Sequence, residues 1–137
     1  MQTFSYPNPT LEDTLRAMRI LAQQGKKDMR VRALCEKICA EVEPGDYCSE
    51  VMAIYYWVCT NIRYMRDILD VETLKTPNQL LQSRSGDCDD IATLLAAMYM
   101  ACGNTCRFLG VSFVQNVPSH VLCQVGIKGN WVTTDPV

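Results

Sequence analysis

The chain has 137 residues, 48% of them apolar and 20% charged, with eight cysteines and a single histidine. This composition belongs to one globular domain of ordinary size and excludes a chain disordered throughout. The formal charge of −2, with no basic run longer than Lys26-Lys27, excludes a basic face for nucleic acid, and no apolar run approaches the roughly 18 residues of a membrane span.

Met1 to Thr10 carries neither a basic start nor an apolar stretch, so it does not read as a signal peptide, and the expected location is cytoplasmic. Thr10 and Asp13 form a capping-box start for a first helix, with Leu11, Leu15, Met18 and Leu21 on one stripe up to Gly25. A second stripe runs Val31, Leu34, Ile38, Val42 and stops at Pro44-Gly45-Asp46. A third helix carries Tyr47, Val51, Ile54, Tyr55, Val58 and Ile62. Residues from Ile68 to Leu74 read as a connection. Thr76, Pro77 and Gln79 then supply an N-cap, a first-turn proline and a capping-box glutamine for a short helix that ends at Ser83-Arg84-Ser85-Gly86.

The next helix begins at Asp87 or Cys88, with a core stripe of Ile91, Leu94, Leu95, Met98 and Cys102, and Gly103-Asn104 stops it. Beyond it the pattern turns to strands, at Cys106–Val114, His120–Ile127 and Trp131–Asp135, with a turn at Lys128-Gly129-Asn130. Helices followed by an antiparallel sheet make an α+β domain, 1–64 helical and 65–137 a helix plus sheet. With no export signal the eight cysteines are expected as reduced thiols, most of them buried as small apolar side chains. Cys35/Cys39 and Cys102/Cys106 are each separated by three residues, a spacing that can mimic part of a zinc site, so a cysteine-rich metal-binding domain is one reading. The expectation adopted is no metal and no cofactor. Asp87, Asp89 and Asp90 do not have the spacing of a calcium loop.

Cys88 continues the core stripe of its helix at the N-terminal end, where the helix dipole favours thiolate. Asp87, Asp89 and Asp90 oppose this, since anions near a thiol raise its pKa. The side chain that could outweigh them near neutrality is His120, at the start of a strand, with Asp135 at the end of the next strand to orient it. A cysteine nucleophile, a histidine base and an aspartate orienter suffice for acyl transfer. A thiol activated in this way would react with iodoacetamide at about pH 6 ahead of the other cysteines. A regular two-residue turn at Gly129-Asn130 would set Asp135 opposite Gln124, about 13 Å along the strand from His120, so a longer connection or a bulge at Gly126 is expected. The Cys88 backbone N–H is the first oxyanion donor by geometry, and Gln82 is a second candidate. Tyr64 either lines a cleft or packs beside the sheet.

Taken together, G-D-C-D-D heading a helix, S-H-V opening a strand and W-V-T-T-D-P after it resemble the transglutaminase-like superfamily. N-I-R-Y-M-R-D and T-P-N-Q-L-L ahead of the cysteine extend the likeness over roughly Asn61 to Pro136. The resemblance implies a papain-like fold with Cys88 as nucleophile, His120 as base and Asp135 as orienter. It also implies a peptide or protein amide substrate and kinship with small bacterial or phage-borne cysteine peptidases and amidases. The alternative is a catalytically silent member serving as a structural or phage-assembly module. The chain stops at Val137, where the family's sheet usually continues, so a truncated chain or a minimal sheet is expected.

Overall fold

The structure is a computed structural model and describes residues 4–6, 11–66, 72–111 and 120–137. In chain order it forms β1 (Phe4–Tyr6), α1 (Leu11–Gly25), α2 (Met29–Ile38), α3 (Tyr47–Asn61), β2 (Arg63–Tyr64) and β3 (Glu72–Leu74). There follow α4 (Pro77–Ser83), β4 (Ser85–Gly86), α5 (Cys88–Ala101), β5 (Cys106–Val111), β6 (His120–Ile127) and β7 (Asn130–Thr134). The α+β order read from the sequence is the observed one. Thr10, most of the 68–74 connection and residues 112–119 lie outside the described residues.

Side-chain caps fix where the helices begin. Asp28 accepts the N–H groups of Arg30 and Val31 at 2.8 and 3.3 Å, and Asp46 accepts that of Ser49 at 3.1 Å. Thr76 and Gln79 close the capping box of α4 around Pro77, as the sequence indicates. The stripe that extends to Val42 does not extend the second helix. The chain leaves α2 at Cys39 and closes a turn from the Val42 N–H to the Cys39 carbonyl at 3.0 Å, and Pro44 bars a continuation.

Helix α5 is the centre of the domain. It packs on α1 and β6 and touches α2, α3 and α4, so every residue from Asp89 to Tyr99 is buried. The single stripe expected from periodicity is therefore a helix covered on all sides, which its apolar and alanine-rich sequence permits. Gly25 makes the close approach of α1, α4 and α5 possible: a β-carbon there would lie 2.6 Å from Pro77 Cγ and 3.0 Å from Ala97 Cβ. Among the described residues, no helix is long and apolar enough to cross a membrane.

Strands β5, β6 and β7 form one antiparallel sheet in that order. Two small pairings not foreseen from the sequence brace the rest, β1 antiparallel to β3 and β2 parallel to β4. The β6–β7 hairpin turns at Lys128-Gly129, with Ile127 opposite Asn130 and both turn residues at positive φ (51° and 80°), as a type I′ turn requires. The register is continuous, without the bulge or long connection expected from the sequence. Setting the turn back by one residue moves the partner position of Asp135 by two, from Gln124 to Leu122, on the same face as His120.

Candidate active site

The site forms where the start of α5 meets the start of β6. Asp87 caps α5 through a reciprocal box with Asp90: each carboxylate accepts the other's backbone N–H at 3.1 Å. The second oxygen of the buried Asp90 accepts the Lys75 N–H at 2.8 Å, and the Lys75 ammonium donates to the Ser85 carbonyl at 2.6 Å. Gly86 lets this approach segment lie flat, because a β-carbon there would stand 2.8 Å from both Asp90 Oδ2 and Leu80 Cδ1. Cys88 is thereby held as the first residue of α5, where its N–H has no intrahelical partner.

The Cys88 thiol is half-buried and donates to Asp89 Oδ1 at 3.6 Å. Burial pushes its pKa up to about 12, the Asp89 and Asp87 charges add to the rise, and a hydrogen bond from the Val121 N–H to the sulfur opposes it. Burial and the neighbouring Asp89 carboxylate thus favour the protonated thiol at rest.

His120 opens β6 and binds Asp135 through Nε2, at 2.7 Å from Oδ2. The two side chains are mostly buried, 16% and 26% exposed, which shields the pair from water. Diagonal neighbours across an antiparallel pair are within reach of long side chains, so the regular hairpin makes this contact without distortion. Asp135 is itself held twice. Its Oδ1 accepts the Val137 N–H at 3.2 Å, and its carbonyl accepts the Tyr55 hydroxyl at 3.1 Å. The Nε2–Asp135 bond leaves His120 Nδ1 as the ring nitrogen able to serve a substrate or thiol.

The structure thus joins His120 to Asp135 directly and sets the Cys88 sulfur on the N–H of Val121, the residue after His120. Tyr64 is exposed on β2, where its backbone pairs with Gly86, two residues before Cys88. Gln82 faces solvent on α4, with its amide donating to Asn78 Oδ1 at 3.2 Å in a polar chain that includes Arg30 and Asp28. The sequence already marks Asp89 as an anion that raises the Cys88 pKa, and the 3.6 Å contact agrees. The Val121 N–H and the Tyr55 hydroxyl are not marked by it, because each depends on a tertiary contact that no local spacing announces.

The family model of the transglutaminase-like superfamily matches residues 30–136. No curated protein matches the chain. Two solved structures resemble it. One is a "Putative Cysteine Protease from Cytophaga hutchinsonii", at 26% identity and a TM-score of 0.62 over 78% of this chain and 36% of that one. The other is a "putative protease" from Parabacteroides distasonis, whose fold agrees at a TM-score of 0.66 and 14% identity over 89% of this chain and 26% of that one. The chain therefore spans about a third or less of the length of these two neighbours.

Proposed function

Because the chain belongs to the transglutaminase-like superfamily, we propose that it is a cysteine-dependent amide hydrolase or acyltransferase, most simply a peptidase or amidase, working through Cys88, His120 and Asp135. The observation that carries the reading is the 2.7 Å His120–Asp135 bond beside a cysteine sulfur at a helix start. The cysteine-protease neighbour supports the same class of chemistry.

The sulfur of Cys88 attacks an amide carbonyl while His120 Nδ1 removes the thiol proton. The carbonyl π electrons move onto oxygen, which the Cys88 N–H receives at the positive end of α5. The tetrahedral species collapses, the C–N bond breaks, and the imidazolium returns its proton to the leaving amine. The thioester then yields to water or an amine deprotonated by the same imidazole. Asp135 holds the ring and stabilises its protonated form throughout. A proton-transfer route of this kind suits a thiol held neutral at rest, since the base acts only during attack. Peptides and proteins are the amide substrates this reading implies. Tyr64 flanks the cleft on this reading, and Gln82 would have to leave Asn78 to serve as a second oxyanion donor.

The neutral thiol also favours a second reading, a silent member of the family used for assembly or interaction. Acylation separates the two. The protein is incubated with an activated ester such as p-nitrophenyl acetate, quenched in acid, and mapped by peptide mass spectrometry. A thioester on the Cys88 peptide, lost in His120→Ala, supports catalysis; acylation spread over the exposed Cys48 and Cys59 with none at Cys88 supports the silent module.

A further inference from the structure

Most of the remaining cysteines are not the buried packing residues expected from the sequence. Cys35 and Cys123 are buried, Cys48 and Cys59 are exposed, and Cys39, Cys102 and Cys106 lie between. Of the two pairs read from spacing, Cys35 and Cys39 stay together but Cys102 and Cys106 part: Cys106 turns to the Ala96 carbonyl and to Cys123, while Cys102 joins Cys35 and Cys39. This second cluster lies at the far end of α5, roughly 20 Å from Cys88 at the helical rise.

Three helix ends build it. Cys35 and Cys39 are four residues apart and so share one face at the end of α2, Cys102 caps the end of α5, and Glu50 sits in the first turn of α3. The Cys39 sulfur, the Cys102 sulfur and a Glu50 carboxylate oxygen all lie within 4.8 Å of one another, each half-buried. Cys35 stands behind them, hydrogen-bonded to the Cys102 sulfur. The C-terminal ends of α2 and α5 both point their carbonyl dipoles here, which favours a cation.

We propose that Cys39, Cys102 and Glu50 form a Zn²⁺ site that clamps α2, α3 and α5 together. Two thiolates and one carboxylate suit zinc and exclude the oxygen-seeking Ca²⁺ and Mg²⁺. Tetrahedral zinc with bonds of about 2.0–2.3 Å spaces its ligands roughly 3.3–3.8 Å apart, so the three atoms need to close by about 1 Å, within reach of side-chain rotation. Water would supply the fourth ligand. A divalent ion replaces the protons the cluster otherwise keeps, so affinity rises with pH.

The test is zinc titration of the reduced full chain against a chromophoric chelator, with Co²⁺ as a spectroscopic substitute. One equivalent should bind, with sulfur-to-cobalt charge-transfer absorption. Cys102→Ser and Glu50→Gln should each weaken binding by about a hundredfold or more. Cys88→Ala should leave it unchanged, which keeps the result separate from the acyl-transfer reading. Circular dichroism confirms that each variant is folded, and Glu50, at a helix surface, provides a mild second variant. No uptake by the reduced wild type, undiminished uptake in folded Cys102→Ser and Glu50→Gln, or loss of uptake in Cys88→Ala overturns the site.

Discussion

Replacing Asp89 by Asn should make the Cys88 thiol more reactive. The carboxylate lies 3.6 Å from the sulfur, accepts its proton and, after burial, is the main reason the thiol is pushed from 9.0 up to about 12. Removing one adjacent charge shifts a pKa by about 1–2 units, so the thiolate fraction near neutrality should rise by about 10–100-fold. Nucleophilicity falls with basicity by about 0.4–0.5 log unit per pKa unit, which leaves a net gain of about 3–10-fold in alkylation. The assay is the second-order rate of iodoacetamide labelling at Cys88 as a function of pH, read by peptide mass spectrometry with the exposed Cys48 and Cys59 as internal references. In the wild type the rate should climb about tenfold per pH unit through neutrality, with no plateau, as expected for a thiol well below its pKa. A plateau below about pH 6 that disappears in His120→Ala would reveal a preformed thiolate–imidazolium pair and refute the reasoning. So would an Asp89→Asn rate at Cys88 no faster than wild type.

Tyr55→Phe removes the hydroxyl that holds the Asp135 carbonyl at 3.1 Å, so it should cost about 1 kcal/mol in urea unfolding. It should also slow Cys88 acylation severalfold, because Tyr55 positions Asp135 without touching the reacting atoms. Gly86→Ala drives a methyl to 2.8 Å from Leu80 Cδ1 and Asp90 Oδ2 and should destabilise the fold by about 1–3 kcal/mol, measured by chemical denaturation. Lys128→Asn places a residue suited to positive φ at the first position of the I′ turn, where Lys128 stands at 51°. It should raise stability by about 0.5 kcal/mol, visible as a higher melting temperature.

What the sequence discloses is the local chemistry. Thr76-Pro77 and Asp87 are short-range helix starts whose caps need only the residues themselves, and the strand order after Gly103 follows from alternation and turn residues. The places of Cys88, His120 and Asp135 at the ends of their elements are legible for the same reason, since the type of each element is plain. The hairpin is not. Lys128-Gly129 and Gly129-Asn130 both make acceptable two-residue turns, and the choice decides whether Asp135 lies two residues or four from His120. Local propensity even points the wrong way, because lysine resists positive φ and the observed turn requires it there. The burial of α5 on every side was hidden likewise, since periodicity reveals one apolar face and cannot count the neighbours of a helix rich in alanine. The meeting of Cys39, Glu50 and Cys102 is a purely tertiary event. Its sequence trace, two cysteine pairs of equal spacing, joined Cys102 to the wrong partner.

The central claim is that Cys88 is a nucleophile driven by the His120–Asp135 pair. It is tested most directly by the acid-quenched acylation of wild type, His120→Ala and Asp135→Asn, read at the Cys88 peptide. The wild type should accumulate the Cys88 thioester, His120→Ala should form none, and Asp135→Asn should form it at least about a hundredfold more slowly, because the imidazole loses the carboxylate that orients and stabilises it. Equal acylation of Cys88 in all three proteins, or none in the wild type, would contradict the account.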